Sequence, residues 1–434
     1  MRSGVKHGIC STKMLRFGLS RRYGLGKLKK KAFAIIVISF ITTCYIMKVT
    51  VINTVEVDGR TRTTLHSSTR GLQCSSTLRQ TNASVTRKDW DFRLFERPQF
   101  LKNFKNPCFF QNISMRVDGT VTGQFRLRCL PYFIIAGFPK AGTTDLWFRL
   151  MSHPDIRLRH IKEPRFFNIG RYTQGGFNYA AAKYLTFFDK AAAELHRLVA
   201  PLECQEHPFP YYHGITGEGT VDTVFDNKLW HLVPGNDHCK EPVVTNADYV
   251  YHINPDVKII FMVRNPVERL YSDYLYEARF VHYPVSRQLF HEAVTDAIQN
   301  HTDCRKHTSV RACAYNGTLE TFKIRLRVGM YNIFIADWLK VFPHRNILVV
   351  KSEDTIGPKK SETYRRIFEF LNIRPFTKLE EVAIFHRSAV NTRSAGEREL
   401  GDMLPETRTL VEKFYEPFNK ELTKMYPDIN YNNK

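Results

Sequence analysis

A lysine and two threonines lie in a glycine-flanked loop, Gly137-Phe-Pro-Lys140-Ala141-Gly142-Thr143-Thr144, directly after an apolar run. Hydroxyls, a cation and glycine-freed amides at one spot suit a phosphate. Gly137 and Gly142 would let the backbone approach it closely, and a helix starting there adds free N–H groups and the positive end of its dipole. A second set occupies Arg264-Asn-Pro266-Val-Glu-Arg269-Leu-Tyr-Ser272. With a helix beginning at Pro266, Arg264 and Ser272 can converge on one anion, the arginine offering a fork of donors. Between the two sets, Lys162-Glu163-Pro164 places a carboxylate beside a cation. That pairing suits a general base taking a proton from an attacking hydroxyl. His160 and Glu218, the latter in the turn-like Gly217-Glu218-Gly219-Thr220, are alternative bases or substrate contacts, and Lys162 is a candidate substrate contact.

Position is the next requirement. Tyr132 to Ile135 is bulky and β-branched enough for a buried parallel strand, and Leu146, Trp147, Leu150 and Met151 are spaced for one helix face. The loop therefore joins a strand to a helix. The pattern repeats at Val257 to Val263, where Asn265 is placed to cap the next helix and Pro266 to open it. Further on come a helix over Tyr331 to Phe342, a third strand over Asn346 to Val350, a helix over Ser361 to Leu371, and an amphipathic stripe from Leu410 to Leu422. Alternating strands and helices predict an α/β fold with a parallel sheet flanked by helices.

The loop is P-loop-like but departs from Walker A, which needs Gly-Lys-Ser/Thr, whereas Lys140 precedes Gly142 by two residues. A nucleotide kinase is disfavoured for that reason. Pro139-Lys-Ala-Gly-Thr-Thr144 resembles instead the 5′-phosphosulfate loop of sulfotransferases that use 3′-phosphoadenosine 5′-phosphosulfate (PAPS). Arg-x-Pro-x-x-Arg-x-x-Ser, about 120 residues later, matches their 3′-phosphate site. The resemblance spans roughly Pro131 to Asp428 and is nearest to the Golgi carbohydrate sulfotransferases, through Lys162-Glu163 and the aromatic pair Phe166-Phe167. It implies PAPS as sulfate donor, no metal, and cofactor contacts from Lys140, Ala141, Gly142, Thr143, Thr144, Arg264 and Ser272. Lys140 and Glu163 would be catalytic. Lys162-Glu163-Pro164, Gly217-Glu218-Gly219, Asn391-Thr-Arg393 and Met403 to Arg408 look most like the chondroitin-type enzymes that sulfate the 6-hydroxyl of N-acetylgalactosamine 4-sulfate. Heparan sulfate is the alternative acceptor, and an inactive luminal glycan-binding protein the rival of another class. Heparan-type relatives often show Lys-Gly-Arg where this chain has Asn391 to Arg398, so nucleotide contacts by Arg393 or Arg398 do not carry over.

The remaining chain has attachments. Ten of its 64 Lys and Arg fall in residues 1–31, which hold no acid, leaving 54 cations against 42 acids, +12, on the rest. Such a balance suits an acidic glycosaminoglycan; no zinc-type cysteine spacing or RNA-binding signature points to nucleic acid. Ala32 to Met47 is a continuous apolar run behind Lys27, Lys29, Lys30 and Lys31. These features predict a cytosolic tail (1–31), one membrane-spanning signal anchor (32–51), a Thr/Ser/Arg-rich stem (52–88), a transitional segment (89–130) and a luminal catalytic domain (131–434). Trp90, Phe92, Phe95 and Phe100 would pack the transition onto that domain. The expected setting is a single-pass type II protein of the Golgi membrane. Sequons at Asn82, Asn112, Asn300 and Asn316 fit a luminal glycoprotein, and seven of nine cysteines follow the apolar run. Cys304 with Cys313 is the favoured disulfide; Cys108 with Cys129 and Cys204 with Cys239 rest on proximity alone, leaving Cys74 odd.

Overall fold

The structure, a computed structural model, describes residues 91–432 apart from 118–119, 173–175, 201–209, 228, 282–283, 321–323 and 391–392. The expected tail, anchor and stem, with Cys74, Asn82 and Trp90, lie outside the described residues, as do Cys204 and Asn391. Among the described residues no helix is long and apolar enough to cross a membrane.

The segment read as transitional is a ladder. Strands β1 (Cys108–Val117) and β2 (Thr120–Cys129) pair antiparallel with Cys108 opposite Cys129, and a disulfide joins those two residues at the hairpin base. Phe92 packs on Tyr249, Phe95 on Phe177 and Phe100 on Phe109.

The chain then enters a four-stranded parallel sheet. Strand β3 (Phe133–Gly137) leads into helix α1 (Thr143–Leu150), followed by α2 (Gly176–Thr186), α3 (Asp189–Leu195) and the short β4 (Gly217–Glu218). Helix α4 (Asn246–Ile253) precedes β5 (Lys258–Val263), which feeds α5 (Pro266–Val281). Next come α6 (Arg287–His307), α7 (Val310–Tyr315), α8 (Tyr331–Val341), β6 (Ile347–Lys351), α9 (Lys360–Phe370), α10 (Lys378–Phe385), α11 (Ala395–Glu399) and α12 (Pro405–Met425). The strand order is β4-β3-β5-β6, parallel throughout.

Period-2 alternation sorts the strands' side chains into two layers. Ile134, Ala136, Ile259, Phe261 and Val263 pack with Leu270, Tyr331, Trp338 and Tyr415 on one face. Phe133, Ile135, Ile260 and Met262 pack with Leu146, Leu150, Ile367 and Phe368 on the other. Both faces are covered, which is why these strands read as unbroken apolar runs. Helix α1 covers one face and α5 the other, although β3 and β5 are neighbours. The chain thus turns to opposite sides at adjacent strand ends. In an open parallel sheet that divergence opens a crevice at the carboxyl ends, the usual place for a ligand.

Cys304 and Cys313 are joined and bring the end of α6 onto α7. Cys239 is also disulfide-bonded. Asn112 on β1 and Asn300 on α6 are exposed, while the Asn316 carboxamide accepts from the Thr318 hydroxyl at 2.7 Å.

Candidate active site

Gly142 fixes the first wall of the crevice. It precedes α1 with φ +81°, a left-handed conformation that glycine adopts without penalty, and a Cβ there would come within 3.1 Å of Ser352 Oγ. The first-turn amides of α1, which a helix leaves without internal partners, open beside Lys140, Thr143 and Thr144. Gly137 has a different reason from the one its sequence suggested: an added Cβ would lie 2.4 Å from Val224 Cγ1, so packing requires it. Ala141 also departs from expectation. Its side chain is buried in the core and its N–H is taken by the Phe138 carbonyl at 3.2 Å, so it is not among the cleft-lining residues.

The second wall comes from the β5–α5 junction. Asn265 Oδ1 accepts from the Val267 N–H at 3.0 Å, which caps the helix, and the Asn265 N–H is held by Glu353 Oε1 at 2.9 Å. Arg264, just before α5, and Ser272, in its second turn, both line the cleft. The Arg264 carbonyl is fixed by the Tyr331 hydroxyl at 2.9 Å, while its Nη1 donates to the Lys140 carbonyl at 3.2 Å and so ties the two phosphate-type loops together. Arg269, the second arginine of the motif, is fully buried and pairs with Asp273 at 3.1 Å. It serves the core.

One cleft of about 280 Å³ gathers Lys140, Gly142, Thr143, Thr144, Glu163, Arg264 and Ser272. Lys140 Nζ lies 3.8 Å from the centre of the Tyr276 ring, a cation–π contact. Burial pulls its pKa down to about 8, partly countered by Asp273. Glu163 Oε1 accepts from Lys162 Nζ at 2.6 Å, and Arg165 Nη2 stands 3.8 Å from Oε2.

The other two candidate bases fall outside this cleft. His160 packs edge-on against Trp147 and Phe188, and burial drives its pKa down to about 4, so the ring is neutral and weakly basic. Glu218 belongs to the edge strand β4 and not to a turn. It is buried, its Oε1 accepts from the Thr220 hydroxyl and N–H, and burial pushes its pKa up to about 8. A carboxyl protonated at neutral pH cannot accept the proton. Lys162 likewise is not among the cleft-lining residues and reaches the site through Glu163. Arg393 packs against the Tyr271 ring and Arg398 donates to the Arg393 carbonyl; the residues just before that stretch, Ala389 and Val390, line the cleft.

Sequence reasoning missed Asp222, Tyr276, Arg165 and Ser352, all of which line the cleft. Tyr276 follows Ser272 by one turn of α5, a spacing that could have found it. Asp222 follows the β4 edge, and its buried Oδ1 has no hydrogen-bond partner among the described residues. Burial, then the nearby Asp226, push its pKa up to about 6.

Comparison with known proteins places this geometry. Residues 131–378 match the profile described as the sulfotransferase family. The chain is 39% identical over 311 residues to mouse carbohydrate sulfotransferase 15, covering 70% of this chain and 54% of that one. The human protein of the same name is 38% identical over 311 residues with the same coverage. The chain therefore spans about half the length of these curated relatives. Among solved structures, a sulfotransferase from Alicyclobacillus acidocaldarius matches with TM-score 0.41 and 21% identity, covering 68% of this chain and 95% of that one. With the profile covering more than half of the chain and both phosphate-type loops inside it, the chain belongs to the sulfotransferase family.

Proposed function

We propose that this chain is a PAPS-dependent carbohydrate sulfotransferase whose acceptor is an acidic glycosaminoglycan, with the 6-hydroxyl of N-acetylgalactosamine 4-sulfate in chondroitin or dermatan sulfate as the site of transfer. The observation that carries the reading is the meeting of two anion-binding junctions and a carboxylate in one cleft. Those residues fit PAPS, whose 5′ and 3′ ends each carry phosphate. The left-handed Gly142 and the α1 amides, with Thr143 and Thr144, hold the 5′ end; Arg264 and Ser272 hold the 3′ end. PAPS supplies a sulfuryl group already activated on a phosphate leaving group. Glu163 takes the proton of the sugar hydroxyl, and Lys140 offsets negative charge growing on the leaving oxygen. Catalysis here is positioning plus electrostatics.

The relatives' name specifies a carbohydrate acceptor, and the excess of cations beyond residue 31 suits a polyanion. Incubating the full-length chain with labelled PAPS should sulfate chondroitin 4-sulfate well and heparan sulfate poorly. The rate should fall as salt is added, because ions screen an acidic polymer bound by Lys and Arg. Product disaccharides sulfated only on glucosamine would move the acceptor to heparan. Binding of chondroitin without transfer would instead support the inactive glycan-binding alternative.

We also infer a luminal setting behind a single anchor, supported by the disulfides and by the exposed sequons at Asn112 and Asn300. Glycosidase should shift the chain's mobility in microsomes, and added protease should spare everything beyond about residue 51. Full digestion without detergent, with no glycan, would reverse the topology.

A further inference from the structure

Three arginines line the cleft, and their commitments differ. Arg325 is engaged by Asp273 and by Glu277 at 2.9 Å. Arg264 leans on the Lys140 carbonyl beside Ser272, at the end read as the nucleotide's 3′ site. Arg165 stands apart. Its side chain is 53% exposed, and the one ion pair it makes among the described residues is Nη2 to Glu163 Oε2 at 3.8 Å, too long for a hydrogen bond.

The backbone that carries this loose head is firmly held. The Arg165 N–H donates to the Thr220 hydroxyl at 3.1 Å, and its carbonyl accepts from Gly170 at 2.9 Å and Ile169 at 3.2 Å. Its φ is +55°, a region that a bulky residue occupies only when its surroundings impose it. A fixed stem thus delivers an uncommitted guanidinium to the mouth of the cleft. The groups facing it are acidic or polar: burial raises the pKa of Asp222, Tyr276 and Glu277, and the Arg165 charge opposes that rise in each. That cation offsets part of the negative charge on this side of the cleft.

Resting on the acceptor class proposed above, we propose that Arg165 reads the sulfate already present on the acceptor sugar. A hydroxyl engaged by Glu163 brings the atoms a few bonds away from it next to the guanidinium. In N-acetylgalactosamine, O4 and O6 are separated by C4, C5 and C6 and lie on the same side of the ring. A 4-O-sulfate therefore reaches Arg165 while O6 faces Glu163. The guanidinium fork matches two sulfate oxygens, as a lysine ammonium does not. Arg165 acts here as a specificity residue, favouring 4-sulfated over unsulfated chondroitin.

The test compares kcat/KM for chondroitin 4-sulfate and unsulfated chondroitin in the full-length wild type, Arg165→Ala and Arg165→Lys. Losing a charge-assisted contact should lower the ratio of the two values by about tenfold or more in the alanine variant. The lysine variant, keeping charge without the fork, should recover part of the preference. Affinity for 3′-phosphoadenosine 5′-phosphate should stay at the wild-type value, which also reports a folded cleft. Equal losses on both acceptors, with wild type still using both, would overturn the role of Arg165 alone. A wild type that sulfates neither chondroitin would remove the acceptor class and this inference with it.

Discussion

Replacing Lys140 with alanine is expected to abolish measurable sulfate transfer while weakening binding of 3′-phosphoadenosine 5′-phosphate only modestly. On the proposed reading, nucleotide affinity would have several independent sources, because the α1 amides, Thr143, Thr144, Arg264 and Ser272 all line the same cleft. The lysine duplicates none of them. Its own surroundings make it more valuable for chemistry than for binding, because before any ligand enters it already rests on the Tyr276 ring and is partly desolvated. Removing one preorganised donor from a developing oxyanion costs about 10²–10³-fold in kcat. A group that acts only where charge develops lowers kcat and kcat/KM together. Near-normal turnover with labelled PAPS would remove Lys140 from the mechanism; a nucleotide Kd raised as far as kcat falls would make it a binding residue.

The same lysine carries a pH signature. Burial lowers its pKa to about 8, so its positive charge is lost as pH rises through that value. Since kcat/KM reports ionisations of the free enzyme, kcat/KM for PAPS should fall on the alkaline side with a midpoint near 8. A profile flat to pH 10 would place the lysine's titration elsewhere.

Local signals carried the parts of the fold that are local. The β3–loop–α1 and β5–α5 junctions were readable because an apolar run, a glycine or proline at the turn, and a helical spacing of apolar residues coincide within about twenty residues. The β1–β2 hairpin is hard to see in the sequence because its aromatic residues do not follow burial: Phe110 and Phe125 are exposed. The dipeptide Asp118-Gly119 in the sequence between Val117 and Thr120 is a hairpin cue. Gly137 shows the limit of local reasoning, since the Val224 methyl that excludes a side chain is 87 residues away. Arg165 and Asp222 were illegible for the same reason. Neither residue's role is signalled by its motif: Arg165 sits between Glu163-Pro164 and Phe166-Phe167 as an unassigned residue, and Asp222 lies in no motif at all. His160 and Glu218 miss in the opposite direction: their residue types fit a base, but burial, which sequence does not report, makes His160 a weak one and keeps Glu218 protonated at neutral pH.

Glu163→Gln is expected to fold, bind nucleotide normally and lose about 10²-fold or more of the transfer rate, the usual worth of a general base. The amide keeps the shape of the carboxylate and can still meet Lys162, but it cannot take a proton from the sugar hydroxyl. The geometry assigns the two oxygens different tasks. Oε1 is occupied by Lys162 Nζ at 2.6 Å, whereas Oε2 has only the long approach of Arg165 and remains able to accept the hydroxyl. With His160 and Glu218 outside the cleft, another cleft-lining carboxyl with a buried oxygen that has no hydrogen-bond partner among the described residues is Asp222. Its pKa, pushed up to about 6, leaves it ionised only above that pH. If Glu163→Gln keeps more than about a tenth of the rate, the residual activity should be examined between pH 5 and 8. A rise through about pH 6 that disappears in Asp222→Asn would transfer the proton-accepting role to Asp222. A uniformly low rate across that range would leave it with Glu163.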